Sequence, residues 1–179
     1  MLPRPAVILD RDGVINRDSE LFIRSVDEFV PLPGSLEAIA QLKQAGWAVV
    51  VCTNQSGVGR GLYTMATLDE IHAHLRALLA EHGTSVDGIY ACPHRPDAGC
   101  SCRKPKPGML LRAATELDLD LGASYMLGDA PRDLEAGRAA GAQPVLVLTG
   151  KGEQTLANGD FPDVPVFDSL QAFTDSLLA

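Results

Sequence analysis

Asp10 and Asp12 stand two residues apart where an apolar run opens onto a glycine, in Ala6-Val7-Ile8-Leu9-Asp10-Arg11-Asp12-Gly13. Side chains alternate along a strand, so positions i and i+2 share a direction and both acids could address one site. Carboxylates held that close repel, and a divalent cation is one routine remedy. An Asp-Gly-rich surface turn is the plain alternative. Three later segments carry complementary groups. Val49-Val50-Val51-Cys52-Thr53-Asn54-Gln55 ends an apolar run in a hydroxyl and two amides. Lys104 and Lys106 lie in a basic loop before a helix-like stretch. Tyr125-Met126-Leu127-Gly128-Asp129, with Asp133 four residues on, ends a third run in carboxylates.

A fourth cluster is softer. Cys92-Pro93-His94 and Cys100-Ser101-Cys102 form a Cys-x-His-x5-Cys-x-Cys pattern. Three thiolates and an imidazole can complete a tetrahedral shell, so Zn2+ held by Cys92, His94, Cys100 and Cys102 is the expected occupant. A disulfide or free thiols are the alternative, and a reducing compartment disfavours the disulfide. With no open position, such a zinc shapes a loop, about residues 92–106, and activates no water. Cys52, inside the valine-rich run, reads as a core thiol.

The elements that must position these groups alternate. Strands are expected near 5–10, 47–52, 88–91, 124–128 and 144–148. Helices are expected from Ser35 to about Ala45, from a Thr67-x-x-Glu70 capping box to about His82, from Pro107-Gly108 to about Leu117, from Pro131 to Gly141, and near 169–178. Residues 17–32 and 154–166 read as loops, and His72, His74 and His82 as surface residues. Strands alternating with helices imply an α/β, doubly wound, Rossmann-like parallel sheet with helices on both faces. At 179 residues, 46% of them hydrophobic, the chain suits a single domain over 1–179. The roughly twenty residues between the first strand and first helix are too few for a separate cap domain.

Composition narrows the partners. Fifteen basic against 23 acidic residues give −8, which argues against nucleic-acid binding. No apolar run approaches the ~20 residues of a membrane span. The first strand begins too soon after Met1 for a signal peptide, so a cytoplasmic location is expected. With no long exposed apolar helix, the expected state is a monomer.

In order, strand-Asp-x-Asp, strand-Thr, Lys and strand-Gly-Asp-x-x-x-Asp resemble the haloacid dehalogenase superfamily of phosphotransferases, with motifs spread over residues 6 to 133. That resemblance implies Asp10 as nucleophile and Asp12 as general acid and base. It implies Mg2+ on Asp10, the Asp12 backbone carbonyl and Asp129. It also implies Thr53 and Asn54 as phosphoryl donors and Lys104 as the neutralising cation. A helix-capping turn is the alternative for Thr53-Asn54, and Lys106 and Arg60 read as solvated. Asp133 is expected to orient Lys104.

The cysteine loop and Thr53-Asn54-Gln55-Ser56-Gly57 more closely resemble the D,D-heptose 1,7-bisphosphate 7-phosphatases. That likeness implies a sugar bisphosphate substrate on the way to heptose-containing glycans such as lipopolysaccharide core, with Arg103 in substrate recognition. Arg95, Arg103, Lys104 and Lys106 against Asp97 leave a local +3, which suits a second phosphate. Two departures touch the sugar side: Asp18-Ser19-Glu20-Leu21-Phe22 lacks a His-Gly-Tyr-like stretch, and Ala130 stands where a lysine is often found. Histidinol-phosphate phosphatases share the Asp-x-Asp start and cysteine loop, but tend to be acidic where Ser56 sits. A receiver-type phosphoacceptor domain is the reading from another class; Asp12 and the cysteine loop argue against it.

Overall fold

The computed structural model describes residues 2–179. Strands β1 (Ala6–Leu9), β2 (Ala48–Asn54), β3 (Gly88–Cys92), β4 (Tyr125–Gly128), β5 (Gln143–Val147) and β6 (Val166–Phe167) build one sheet. Their order is β3-β2-β1-β4-β5-β6, and every neighbouring pair is parallel. Parallel neighbours require crossover connections. Helices α1 (Ser35–Gln44), α2 (Met65–Glu81), α3 (Gly108–Leu117), α4 (Pro131–Ala140) and α5 (Gly152–Asn158) lie in those connections, and α6 (Leu170–Leu178) follows β6.

Burial on both faces explains the unbroken apolar strands. Val7 and Leu9 pack with Ile39 and Leu42 of α1, Ile71 and Leu75 of α2, and Phe173 of α6. Ala6 and Ile8, of opposite parity, pack with Met109, Leu110 and Ala113 of α3 and Ala136 of α4. The doubly wound α/β expectation therefore holds. Among the described residues no helix is long and apolar enough to cross a membrane.

From β1 the chain moves outward through β2 to β3, then returns to lay β4 on the other side of β1. Strand order reverses between β1 and β4, and ligands of open α/β sheets bind outside the strand ends at such a reversal. Asp10 and Asp129 leave those two ends, with Leu9 opposite Leu127 and the Asp10 N–H donating to the Leu127 carbonyl at 3.1 Å.

Two local expectations are corrected. α2 begins at Met65, because the Thr64 hydroxyl accepts from the Thr67 N–H at 3.1 Å; Thr67 lies in the first turn and is not the cap. Either threonine could cap, and the earlier one does. Residues 154–166 are not all loop: α5 occupies Gly152–Asn158, and β6 begins at Val166. Only Gly152 and Thr155 of α5 are buried, so no apolar period marks the helix. Its anchor is polar, a bond of 2.7 Å from the Thr155 hydroxyl to the Asp129 carbonyl.

Candidate active site

Asp10 follows the last residue of β1 and is almost fully buried. Its Oδ1 accepts from Lys104 Nζ at 2.9 Å and from the Arg11 N–H at 2.9 Å. Lys104, itself enclosed, also donates to the Cys52 carbonyl at 2.8 Å and to Asp133 Oδ1 at 2.7 Å. Burial alone would pull Lys104 down, but Asp10 and Asp133 outweigh it and keep the ammonium charged. Asp133 Oδ2 accepts the Ala130 N–H at 3.2 Å, so Asp133 links Lys104 to the start of α4.

Asn54 holds the other side of Lys104. Its Oδ1 accepts the Lys104 N–H at 3.0 Å, and its Nδ2 donates to the Lys104 carbonyl at 3.1 Å. Both ends of this carboxamide are engaged with the lysine backbone, and its second N–H remains for the cleft that Asn54 lines. Thr53 Oγ1 accepts from Gln55 Nε2 at 2.9 Å and donates to the Asn54 carbonyl over a long 3.5 Å, a weak bond that the hydroxyl can exchange for a better acceptor.

Asp12 reaches the site by a route other than strand alternation, because β1 ends at Leu9 and the two-residue period stops there. Its Oδ1 accepts from Arg11 Nε at 3.0 Å, Arg11 Nη2 at 2.7 Å and Asn16 Nδ2 at 2.9 Å. Its Oδ2 accepts from Gln55 Nε2 at 3.0 Å. Behind these donors, the Tyr63 hydroxyl donates to Gln55 Oε1 at 2.6 Å, and His72 Nε2 sits 3.1 Å from Arg11 Nη1. His72 is thus a buried residue and not a surface one; burial first, then the Arg11 charge, pulls it down to about 3 and keeps it neutral. His74 is half-buried with its ring edge-on to Phe29, and His82 is exposed as expected.

Asp129 leaves β4 between two glycines. Gly13, with φ +88°, and Gly150, with φ +57°, press against its carboxylate so closely that a Cβ at either would strike Asp129 Oδ2. That oxygen accepts the Lys151 N–H at 2.9 Å. Asp129 Oδ1 and Asp10 Oδ2 are both buried without a hydrogen-bond partner. Burial foremost, then Asp10 and Asp133, pushes Asp129 up to about 8. Burial and then Asp133 raise Asp10, against the pull of Lys104 and Arg132. Buried oxygens lacking donors, on carboxylates that resist ionising together, fit a hard divalent cation such as Mg2+.

Asp10, Asp12, Asn54 and Arg103 line one cleft of about 210 Å3, together with Asp18, Ser19, Glu20, Phe22, Gln55, Ser56, Arg60, Arg132 and Lys151. Thr53, Lys104 and Asp129 are buried behind that lining. Arg60 is exposed, with its guanidinium 5.7 Å over the Phe22 ring, and Lys106 is exposed on the Cys100 carbonyl at 2.8 Å. Lys106 therefore does not substitute for Lys104.

The soft cluster also assembles. One ligand atom each from Cys92, His94, Cys100 and Cys102 lies within 4.8 Å of all the others. Cys92 Sγ is 3.7 Å from Cys100 Sγ and 3.6 Å from His94 Nδ1, and Cys102 Sγ is 3.3 Å from His94 Nδ1. Zn–S bonds of about 2.3 Å in a tetrahedron separate sulfurs by roughly 3.8 Å. The Cys92–Cys100 pair matches that spacing, whereas Cys102 Sγ lies only 2.8 Å from Cys92 Sγ, so the four donors converge on one point without full zinc spacing.

Residue types alone did not single out Arg11, Gln55, Tyr63, His72, Arg132 or Lys151. Signals existed for two of them. Arg11 is a charge inside an otherwise buried run, and Gln55 sits two residues beyond Thr53.

Comparison with known proteins extends this picture. Residues 101–173 match the HAD-hydrolase-like family model. Over 96% of its length the chain is 55% identical to the D-glycero-beta-D-manno-heptose-1,7-bisphosphate 7-phosphatase of Pseudomonas putida, covering 98% of that protein. It is 52% identical to the enzyme of the same name from Pseudomonas aeruginosa, over 99% of both chains. The D,D-heptose 1,7-bisphosphate phosphatase of Bordetella bronchiseptica, crystallised with magnesium and phosphate, superimposes with a TM-score of 0.94 at 51% identity, over 97% of this chain and 98% of that one.

Proposed function

This chain belongs to the D-glycero-beta-D-manno-heptose-1,7-bisphosphate 7-phosphatase family of HAD-like hydrolases, and we propose that it removes the 7-phosphate of that sugar bisphosphate. The observation that carries the reading is the Asp10 carboxylate: one oxygen fixed by Lys104 and a backbone N–H, the other buried and unpartnered beside Asp129.

Attack by the Asp10 carboxylate on phosphorus forms an acyl phosphate and breaks the bond from phosphorus to the sugar oxygen. Asp12 gives its proton to that departing oxygen. A water then attacks the phosphorus of the acyl phosphate, Asp12 takes its proton, and inorganic phosphate leaves with Asp10 restored. Lys104, tied to Asp10 and Asp133, holds positive charge at the point of attack. The Thr53 hydroxyl and the second N–H of Asn54 donate to the transferring group, while the rest of the Asn54 amide fixes the lysine backbone. Asp10, Asp129 and the Asp12 backbone carbonyl would hold Mg2+, which when bound offsets the negative charge gathered on the phosphoryl oxygens. Cys92, His94, Cys100 and Cys102 would hold Zn2+, which cross-links the loop bearing Arg103 and Lys104. The enzyme works as a single-domain, cytoplasmic monomer feeding heptose-containing glycan synthesis.

The test compares Mg2+-dependent phosphate release from D-glycero-D-manno-heptose 1,7-bisphosphate and from histidinol phosphate. A kcat/KM higher by at least a hundredfold for the bisphosphate is expected, and none in the Asp10→Asn variant. Preference for histidinol phosphate would overturn the substrate.

A further inference from the structure

Two buried arginine donors, one from each of two residues lining the cleft, have no acceptor among the described residues. Arg132 stands in the first turn of α4, three residues past Asp129, and its Nε is buried without a hydrogen-bond partner. Arg103, on the loop between β3 and α3, has its Nη1 in the same condition. The two residues come from different elements and line the same cleft as Asp10. Burial works against Arg132, but Asp133, Asp10, Asp129 and Asp18 together keep it charged. Arg103 is pulled down by burial and then by Arg132, so each guanidinium lies in the field of the other.

Like charges brought together with buried, unmet N–H groups cost free energy unless an anion completes them. Lys104 does not leave that vacancy to be filled: its three bonds to Asp10, Asp133 and Cys52 already saturate its donors. The arginine pair is cationic capacity beyond what the reacting centre uses internally. A guanidinium presents a planar fork of N–H groups that matches a phosphate, and two forks from separate walls can grip one phosphate from two sides.

We propose that Arg132 and Arg103 form a two-arginine clamp for the phosphate of the substrate that does not react, with Arg132 as its α4 half. The proposal rests on the bisphosphatase reading above and assigns that reading's discrimination to a residue two positions beyond Ala130. Arg132 acts in recognition of the distal group and not in bond breaking. Asp18 lines the same cleft and adds, after Asp133, Asp10 and Asp129, to the charges that hold Arg132 cationic, and no salt bridge ties Arg132 among the described residues.

Arg132→Ala and Arg132→Lys are compared with wild type for kcat/KM on D-glycero-D-manno-heptose 1,7-bisphosphate and on the corresponding heptose 7-phosphate. Wild type is expected to prefer the bisphosphate. Arg132→Ala is expected to shrink that preference about 10- to 100-fold, mainly through KM, as loss of charge-assisted hydrogen bonds predicts. Arg132→Lys retains charge without the fork and is expected to fall between; it decides the matter if the alanine variant fails to fold. Equal loss on both substrates would overturn the proposal, because Arg132 would then act on the reacting phosphate or on the fold. An unchanged preference ratio would overturn it too. A wild type that turns over the 7-phosphate as well as the bisphosphate would fail the substrate reading itself, before any variant is made.

Discussion

Asp12 has to exchange a proton with groups outside the protein, yet four donors from Arg11, Asn16 and Gln55 hold its two oxygens. A carboxylate gripped this way is kept at one angle to the cleft, and two of the three donating residues have their own backing: Tyr63 behind Gln55, His72 behind Arg11. Gln55 is the most exposed to test, since it also bonds Thr53. Gln55→Ala is expected to lower kcat roughly 10- to 100-fold, and to cost about 1–3 kcal/mol of stability by orphaning the buried Tyr63 hydroxyl. Steady-state kinetics and thermal melting check both, and an unchanged kcat would remove Gln55 from the support of Asp12. The sequence made Asp10, Asp12, Thr53 and Asp129 legible because they stand at the ends of apolar runs, and Lys104 because it lies in a basic loop before a helix. It hid the supporting groups because side chains 40 to 60 residues apart meet only in the fold. His72 shows the same limit: its helix reads as amphipathic, and nothing in that period reveals that Arg11 waits beneath it.

At the scale of elements, the segment between β3 and α3 is the part whose shape depends least on ordinary packing. It is tied to the segment that follows β2 by the Gln55 N–H on the Cys92 carbonyl at 2.7 Å and the Gly59 N–H on the Pro93 carbonyl at 2.9 Å. The four soft ligands close it from within. Arg103 directly follows Cys102, so any loosening of the cluster carries the arginine and Lys104 with it. Cys100→Ser is expected to reduce bound zinc well below one per chain and to lower the melting temperature by roughly 6–12 °C, for a loss of about 3 kcal/mol. Elemental analysis and thermal melting measure these; full zinc content in the variant would contradict the ligand set. Spacing alone exposed this cluster, because four ligands within eleven residues leave little for tertiary structure to decide. By contrast α5 was illegible: a short helix held by Thr155 on the Asp129 carbonyl leaves no apolar rhythm to detect.

For the whole molecule, the strand order places the two acids of β1 and β4 at the one reversal in the sheet, and the intervening connections become the walls. A chain carrying −8 gathers Arg60, Arg103, Arg132 and Lys151 around that cleft. Asp10, Asp12, Asp18 and Glu20 line it too, so the cleft is balanced where the molecule as a whole is acidic, and a polyanion meets less repulsion there than over the rest of the surface. The βα alternation made this architecture legible, since a parallel sheet with crossover helices admits few topologies. The pairing of Arg103 with Arg132 was not, because it depends on how two connections close over one strand end. The most direct test of the account is to quench turnover of the bisphosphate in acid and map covalent phosphate by peptide mass spectrometry, using Asp12→Asn to slow release. Phosphate on Asp10 is predicted, and turnover that leaves Asp10 unmodified in both wild type and variant would contradict it.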